Sequence, residues 1–296
     1  MEQNKKMGIF SFLGQSSTLY FPGCVTYFKF PENFELYKKI FYKLGVGFEV
    51  VDKKICCGLP ALEAGYDQIA RKLARRNFEI FKEKGIKSLI TNSPEAYKMF
   101  LEDYPEILPD WNIHVRNLWD IISERLESRP RLIKNKALEI VTYHDSCYLC
   151  RYCGVYEEPR KILELIGYEI KEMPDTKLDS VCCGSCGGLA RTNLKLANEV
   201  AKQRILQAKR IGVKKMIVAS MENYQLLKKN SGDSGVEILE LSEVLALALG
   251  IKKKEPEFVE EEISDEEQII SDIESNKKLK NALDDENDEE VKDWEK

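Results

Sequence analysis

The chain has 296 residues, 43% of them hydrophobic, enough to bury a substantial core and to divide into two domains. No run of about 18 apolar residues occurs, which excludes a membrane-spanning helix, and 50 acidic against 45 basic residues give no support to a nucleic-acid partner. Nine cysteines in a chain read as cytoplasmic point to metal binding or redox chemistry rather than to structural disulfides.

Residues 1–17 read as a leader. Lys5-Lys6 precede a short apolar run, Gly8–Gly14, but Gln15-Ser16-Ser17 offers no small-x-small cleavage site. Hydrophobic periodicity then gives one order of strands and helices twice. In a first domain, 18–127, a strand at Ser17–Phe21 ends at Gly23-Cys24. A helix at Glu35–Leu44 follows, then a β-branched strand at Gly47–Val51, with Cys56-Cys57 at its exit. A long helix, Tyr66–Lys84, is closed by Gly85. Strand Ser88–Thr91, a helix through Tyr97–Leu101, strand Ile113–Val115 and helix Leu118–Leu126 complete the half.

A linker around Ser128–Lys136 leads to a second domain, 137–251, with the same order: strand Ile140–His144, helix Pro159–Ile166, strand Tyr168–Met173, Cys182-Cys183, helix Leu194–Lys209 with Gly212 as cap, strand Lys215–Ala219, a helix through Tyr224–Lys228, strand Val236–Leu239 and helix Leu241–Leu249. Strands alternating with helices imply parallel sheets. The fold expected is α/β: two similar domains with parallel-rich sheets flanked by helices, related by a pseudo-twofold. From Lys252 to Lys296 the chain carries 18 acidic and 8 basic residues, a net of −10, so residues 1–251 carry +5. This acidic segment, 252–296, is expected to be a disordered solvating tail. Its Ile269, Ile270, Ile273 and Leu279 leave room for one amphipathic helix on a partner.

The cysteines repeat with the elements. Cys24 is separated by 31 residues from Cys56-Cys57-Gly58, and Cys147 by 34 from Cys182-Cys183-Gly184. Adjacent cysteines do not easily bridge each other, so a doublet near a third thiol suggests a metal or iron–sulfur site before a disulfide; buried reduced thiols are the alternative. Equivalent cysteines fall at or after the carboxyl ends of equivalent strands, where open α/β sheets place their ligands. The second half adds Cys150, Cys153 and Cys186. Cys147, Cys150 and Cys153 lie within about 120° on a helix, and six thiols from two loops can give four ligands to a 4Fe–4S cube or to zinc. Gly184, Gly187 and Gly188 suit a loop that approaches sulfur closely. His144 is open to three readings: ligand, proton donor to a substrate thiol, or hydrogen-bonded strand end. His114 is assigned to packing, and Arg71, Lys72, Arg75 and Arg76 to a solvated helix face.

Phe21-Pro22-Gly23-Cys24, Ile55-Cys56-Cys57-Gly58, His144-Asp145-Ser146-Cys147, Gly154-Val155-Tyr156-Glu157-Glu158-Pro159-Arg160 and Val181-Cys182-Cys183-Gly184 together resemble the duplicated cysteine-rich (CCG) domain. That domain occurs in the CCG-bearing component of heterodisulfide reductase and in the iron–sulfur subunits of anaerobic glycerol-3-phosphate dehydrogenase and of lactate and glycolate oxidation. The resemblance covers Thr18 to Gly250. It implies a cysteine-ligated iron–sulfur centre, in heterodisulfide reductases a pair of non-cubane 4Fe–4S clusters, moving electrons to or from a thiol/disulfide or a quinone-linked partner. In that family each doublet is followed by a C-x-x-C pair. At the corresponding places, separated by 35 residues from Cys57 and by 36 from Cys183, stand Ser93 and Ala96, and Ser220 and Asn223. The family's five-thiolate site is therefore not reproducible in either half.

The function expected is that of an iron–sulfur subunit in a heterodisulfide-reductase-like oxidoreductase complex. Its cluster is placed in the second half on Cys147, Cys150, Cys153, Cys182, Cys183 and Cys186, with Cys182, Cys183 and His144 as catalytic candidates and Cys24, Cys56 and Cys57 as a residual metal site. A separate ferredoxin-like or flavin subunit is expected to bring electrons, which makes a hetero-oligomer, with room for peripheral membrane attachment; the substrate is a small thiol/disulfide or another organic molecule. The alternative is a catalytically degenerate scaffold or zinc-binding subunit. No phosphate loop, serine-hydrolase elbow or zinc-protease helix supports another class.

Overall fold

The computed structural model describes residues 16–50 and 55–251. The leader up to Gln15, Val51 of the expected strand and the acidic tail from Lys252 lie outside the described residues.

The first half runs β1 (Thr18–Phe21), α1 (Cys24–Lys29), α2 (Pro31–Leu44), α3 (Leu59–Glu63), α4 (Asp67–Glu83), β2 (Ser88–Thr91), α5 (Pro94–Lys98), a π-helical turn (Met99–Asp103), α6 (Tyr104–Ile107), β3 (His114–Val115) and α7 (Leu118–Ser128). The second runs β4 (Glu139–His144), a π-helical turn (Tyr148–Tyr152), α8 (Glu157–Leu165), β5 (Tyr168–Ile170), α9 (Leu189–Thr192), α10 (Leu194–Arg210), β6 (Lys215–Val218), α11 (Met221–Lys229), β7 (Glu237–Glu240) and α12 (Leu241–Ala248).

All strand pairings among the described residues are parallel. The first sheet has the order β1-β2-β3, the second β5-β4-β6-β7. Where a strand was expected at Gly47–Val51, Glu49 alone bridges Leu19 beside β1, through Tyr20 N–H to Glu49 O and Glu49 N–H to Thr18 O, each 2.8 Å. That bridge occupies the position of β5, so the two sheets share one strand order. The middle strands read Leu89-Ile90-Thr91 and Met216-Ile217-Val218, all buried, as sheets covered on both faces require.

The long helices repeat residue by residue. α4 buries Ala70, Ala74, Asn77, Phe78 and Phe81, and α10 buries Ala197, Ala201, Arg204, Ile205 and Ala208, both on the i, i+4, i+7, i+8, i+11 stripe of a helix packed by one face. α2 starts with Pro31 at its first turn and stops at Gly45, φ 67°, the usual asymmetry of helix ends. Its start precedes the expected Glu35 because Pro is favourable there and is no breaker. His114, expected in the core, is exposed while Val115 is buried. A strand alternates its side chains, and only one of the pair faces inward.

The halves interlock. α7 packs on α8 and α12 packs on α2; Tyr37 Oη donates to Glu240 Oε1 at 2.6 Å, Asn33 Nδ2 to Ser242 Oγ at 3.2 Å and Asn117 Nδ2 to Glu158 Oε1 at 3.0 Å. One apolar core runs from Leu19, Tyr37 and Trp119 into Tyr143, Ile162 and Leu245, and a smaller one lies under α10 around Met173, Ala201 and Met216. Among the described residues no helix is long and apolar enough to cross a membrane.

Candidate functional site

Each doublet is set by its glycine. Gly58 has φ +95° and Gly184 φ +88°, and a Cβ added to either would face the carbonyl of an equivalent helix residue: 3.5 Å from Ala70 O in the first half, 2.8 Å from Ala197 O in the second. Glycine both permits that backbone and lets the loop lie against the helix. In the second half the doublet's two side chains then go to different places. Cys182 packs with Cys147 and Cys186 against the large core, whereas Cys183, 1% exposed, belongs to the small core under α10.

Cys182 and Cys186 lie within electrostatic reach of Cys147 and hold its pKa down to about 3, while the Cys182 and Cys186 thiols are raised in return. Gly184 N–H donates to Cys182 Sγ at 3.3 Å. Asn223 Nδ2 is directed at Ser185 Oγ (2.7 Å), Cys183 Sγ (3.3 Å) and Cys186 Sγ (3.7 Å), while its Oδ1 is buried without a partner. Cys186 donates to Glu95 Oε1 at 3.0 Å.

Cys150 and Cys153 do not join this group. The segment after Cys147 is a π-helical turn, wider than an α-helix, on which i, i+3 and i+6 do not share the angles of an α-helix. Cys150 instead meets Ser180 Oγ at 3.3 Å. Cys153 is half-buried, and burial followed by Glu102 pushes its pKa up to about 12.

The first half gathers three thiols around the doublet's Cys56 rather than around the single cysteine. Cys24 and Cys57 lie within electrostatic reach of Cys56 and lower its pKa to about 3, while the Cys24 and Cys57 thiols are raised. Asn77 Nδ2 donates to Cys56 O at 2.7 Å and to Tyr104 Oη at 2.9 Å, and Tyr104 Oη donates to Cys57 O at 3.1 Å, fixing the loop. Arg191 of α9 lies within electrostatic reach of Cys24 and Cys56. A small, open, largely apolar hollow borders Cys24 between Phe21, Pro22, Tyr27, Phe28 and Ile55.

His144 closes β4 at 1% exposure. Its Nδ1 accepts from Arg204 Nε at 3.1 Å, and burial followed by the Arg204 charge drops its pKa to about 3. It is a neutral, hydrogen-bonded strand end. The adjoining Asp145 takes a two-pronged bridge from Arg160, 2.7 and 2.8 Å, and accepts Lys177 N–H at 2.8 Å. The His-Asp-Ser-Cys and Glu-Glu-Pro-Arg segments thus clamp the loop that carries Cys147.

At the C-x-x-C positions the structure shows helix starts. Ser93 Oγ accepts from Ala96 N–H at 3.4 Å and Ser220 Oγ from Asn223 N–H at 3.3 Å, capping α5 and α11. Between them lie Glu95 and Glu222, within electrostatic reach of each other and both raised above the ordinary carboxylate range, by burial first. Sequence reasoning missed Glu95, Glu222 and Asn223. Its available signal was the Ser-x-Glu repeated in both halves.

Among the described residues no three His, Cys, Asp or Glu side chains are arranged to hold a single metal ion. An iron–sulfur cluster asks for something else, one thiolate for each of several irons. Thiols of two loops in mutual contact, N–H donors aimed at sulfur and an unpaired buried amide oxygen fit that donor chemistry.

Comparison with known proteins agrees. The EtfAB:quinone oxidoreductase of Syntrophomonas wolfei is 30% identical over 197 residues, 65% of this chain and 27% of that protein. One component of the dihydromethanophenazine:CoB–CoM heterodisulfide reductase of Methanosarcina mazei is 28% identical, over 66% of this chain and 49% of that component. One component of the fumarate reductase (CoM/CoB) of Methanothermobacter marburgensis is 28% identical, over 77% and 46%. The chain thus spans between about a quarter and a half of these relatives. The CCG cysteine-rich domain model matches twice, at residues 18–100 and 141–222, each time enclosing one cysteine set, and the chain belongs to that family.

Proposed function

We propose that this chain is the iron–sulfur subunit of a heterodisulfide-reductase-like oxidoreductase complex, with its centre in the second half. The observation that carries the reading is the gathering of Cys147, Cys182 and Cys186, from two separate loops, against the large core within electrostatic reach of one another. Relatives named as oxidoreductases and as subunits of such enzymes support it. Once bound, the cluster supplies single-electron storage beside the substrate sulfur. The chain's residues hold it: Cys147, Cys182 and Cys186 as thiolates, the Gly184 and Asn223 N–H groups as hydrogen bonds to sulfur that steady the negative charge. The net reaction adds two electrons and two protons to a disulfide, breaks its S–S bond and releases two thiols. The electrons come from a separate ferredoxin-like or flavin subunit.

A catalytically silent scaffold is the second reading, favoured by the helix caps Ser93 and Ser220 where thiolates would stand. Anaerobic reconstitution separates the two. Iron and acid-labile sulfide in about equal amounts, with a reducible paramagnetic signal, is the expected result; zinc without sulfide, or no metal, supports the scaffold.

A further inference from the structure

Three thiols of the second half, Cys147, Cys182 and Cys186, pack together against the large core. Cys150 meets Ser180 Oγ at 3.3 Å, and Cys183, across the Asn223 amide from Cys186, is buried in the small core under α10. The group next to the trio is a carboxylate from the opposite half: Glu95 Oε1 lies 3.0 Å from Cys186 Sγ.

Glu95 is aimed there by its surroundings. It is the second residue of α5, whose start is fixed by the Ser93 cap, and α5 packs on the Tyr148–Tyr152 turn that follows Cys147. Its other oxygen, Oε2, accepts from Ser93 Oγ at 3.3 Å, and Glu222 lies within electrostatic reach of the carboxyl group. Oε1 is the oxygen turned to sulfur. Glu95 and Glu222 hold the same place in their halves, inside the segment where a C-x-x-C pair would supply thiolates.

We propose, building on the iron–sulfur reading above, that Glu95 is an oxygen ligand of the second-half centre, contributed across the interface between the halves. One iron is then held by Glu95 and the others by Cys147, Cys182 and Cys186, with Glu222 as the positioning partner of Glu95. A carboxylate is a harder ligand than a thiolate and binds the irons of a sulfide cluster less tightly, so the Glu95-bound iron is the first to leave and the place where a substrate atom gains access.

The test compares the full-length wild type with Glu95→Gln and Glu95→Cys after anaerobic reconstitution with ferrous iron and sulfide. Circular dichroism and thermal melting of the unloaded proteins report the fold. Iron content, electron paramagnetic resonance and Mössbauer spectra report the centre. Wild type is expected to lose about one iron per cluster on mild oxidation. Glu95→Gln lacks that iron before oxidation, and Glu95→Cys keeps it through the same treatment, with an altered spectrum. Folded Gln and Cys variants that match wild type in iron content, spectrum and oxidation response would overturn the assignment while leaving the iron–sulfur reading intact. A wild type that takes up no iron and sulfide would remove both.

Discussion

Gly184 shows how a single residue sets the site. Its φ of +88° is costly for any side chain, and a Cβ would come within 2.8 Å of Ala197 O; at Gly58 the equivalent carbonyl is 3.5 Å away. Gly58→Ala should therefore cost about 1–3 kcal/mol, the price of a left-handed backbone alone. Gly184→Ala should cost more, because backbone must also move. Denaturant titration of both variants measures the difference, and equal losses would show that the Ala197 overlap is relieved at no cost. Glu95 makes the opposite point about residues. Nothing local marks it, since its contact with Cys186 spans 91 positions and exists only once the halves meet.

At the level of elements, the loop after β4 is held by the Arg160–Asp145 bridge, at 6% and 0% side-chain exposure. Removing one member of a buried ion pair strands the other charge, so Arg160→Met should destabilise by about 3–5 kcal/mol. It should also loosen Cys147, read as a lower iron content after reconstitution; a stable variant with full iron uptake would show that the clamp is dispensable. This ion pair lay within segments already singled out in the sequence as family marks, but its role needed coordinates. The alternation of strands and helices, the Gly85 and Gly212 stops and the pairing of Cys24 with Cys56-Cys57 were legible because they rest on local periodicity and spacing. Cys150 and Cys153 were not, because the α-helical angle assumed for them fails on a π-helical turn. Gly47–Val51 has the composition of a strand, yet only Glu49 finds a bridge, and propensity cannot reveal how much of a neighbouring strand is free to pair.

For the whole molecule, the joint between the halves carries its own pH signature. Glu240 caps α12, accepts from Tyr37 of α2, and is raised by burial from 4.5 to about 7. Between those values the folded chain keeps a proton that the unfolded chain has released, so stability is greatest below about 4.5, falls as pH rises to about 7 and then levels off. Glu240→Gln should flatten that part of the stability profile; an unchanged slope would place the titration elsewhere. The likeness of the halves extends to strand order and helix stripes, but only the second adds a fourth thiol beside its doublet, Cys186, which shares the Asn223 amide with Cys183. That asymmetry is the basis for assigning the chemistry to the second half. The most direct measurement is the iron and sulfide content of reconstituted Cys147→Ser, Cys182→Ser and Cys56→Ser proteins beside wild type. The account predicts that the first two lose the cluster and its paramagnetic signal while Cys56→Ser retains most of both; a cluster that survives loss of Cys147 and Cys182 but disappears with Cys56 would contradict it.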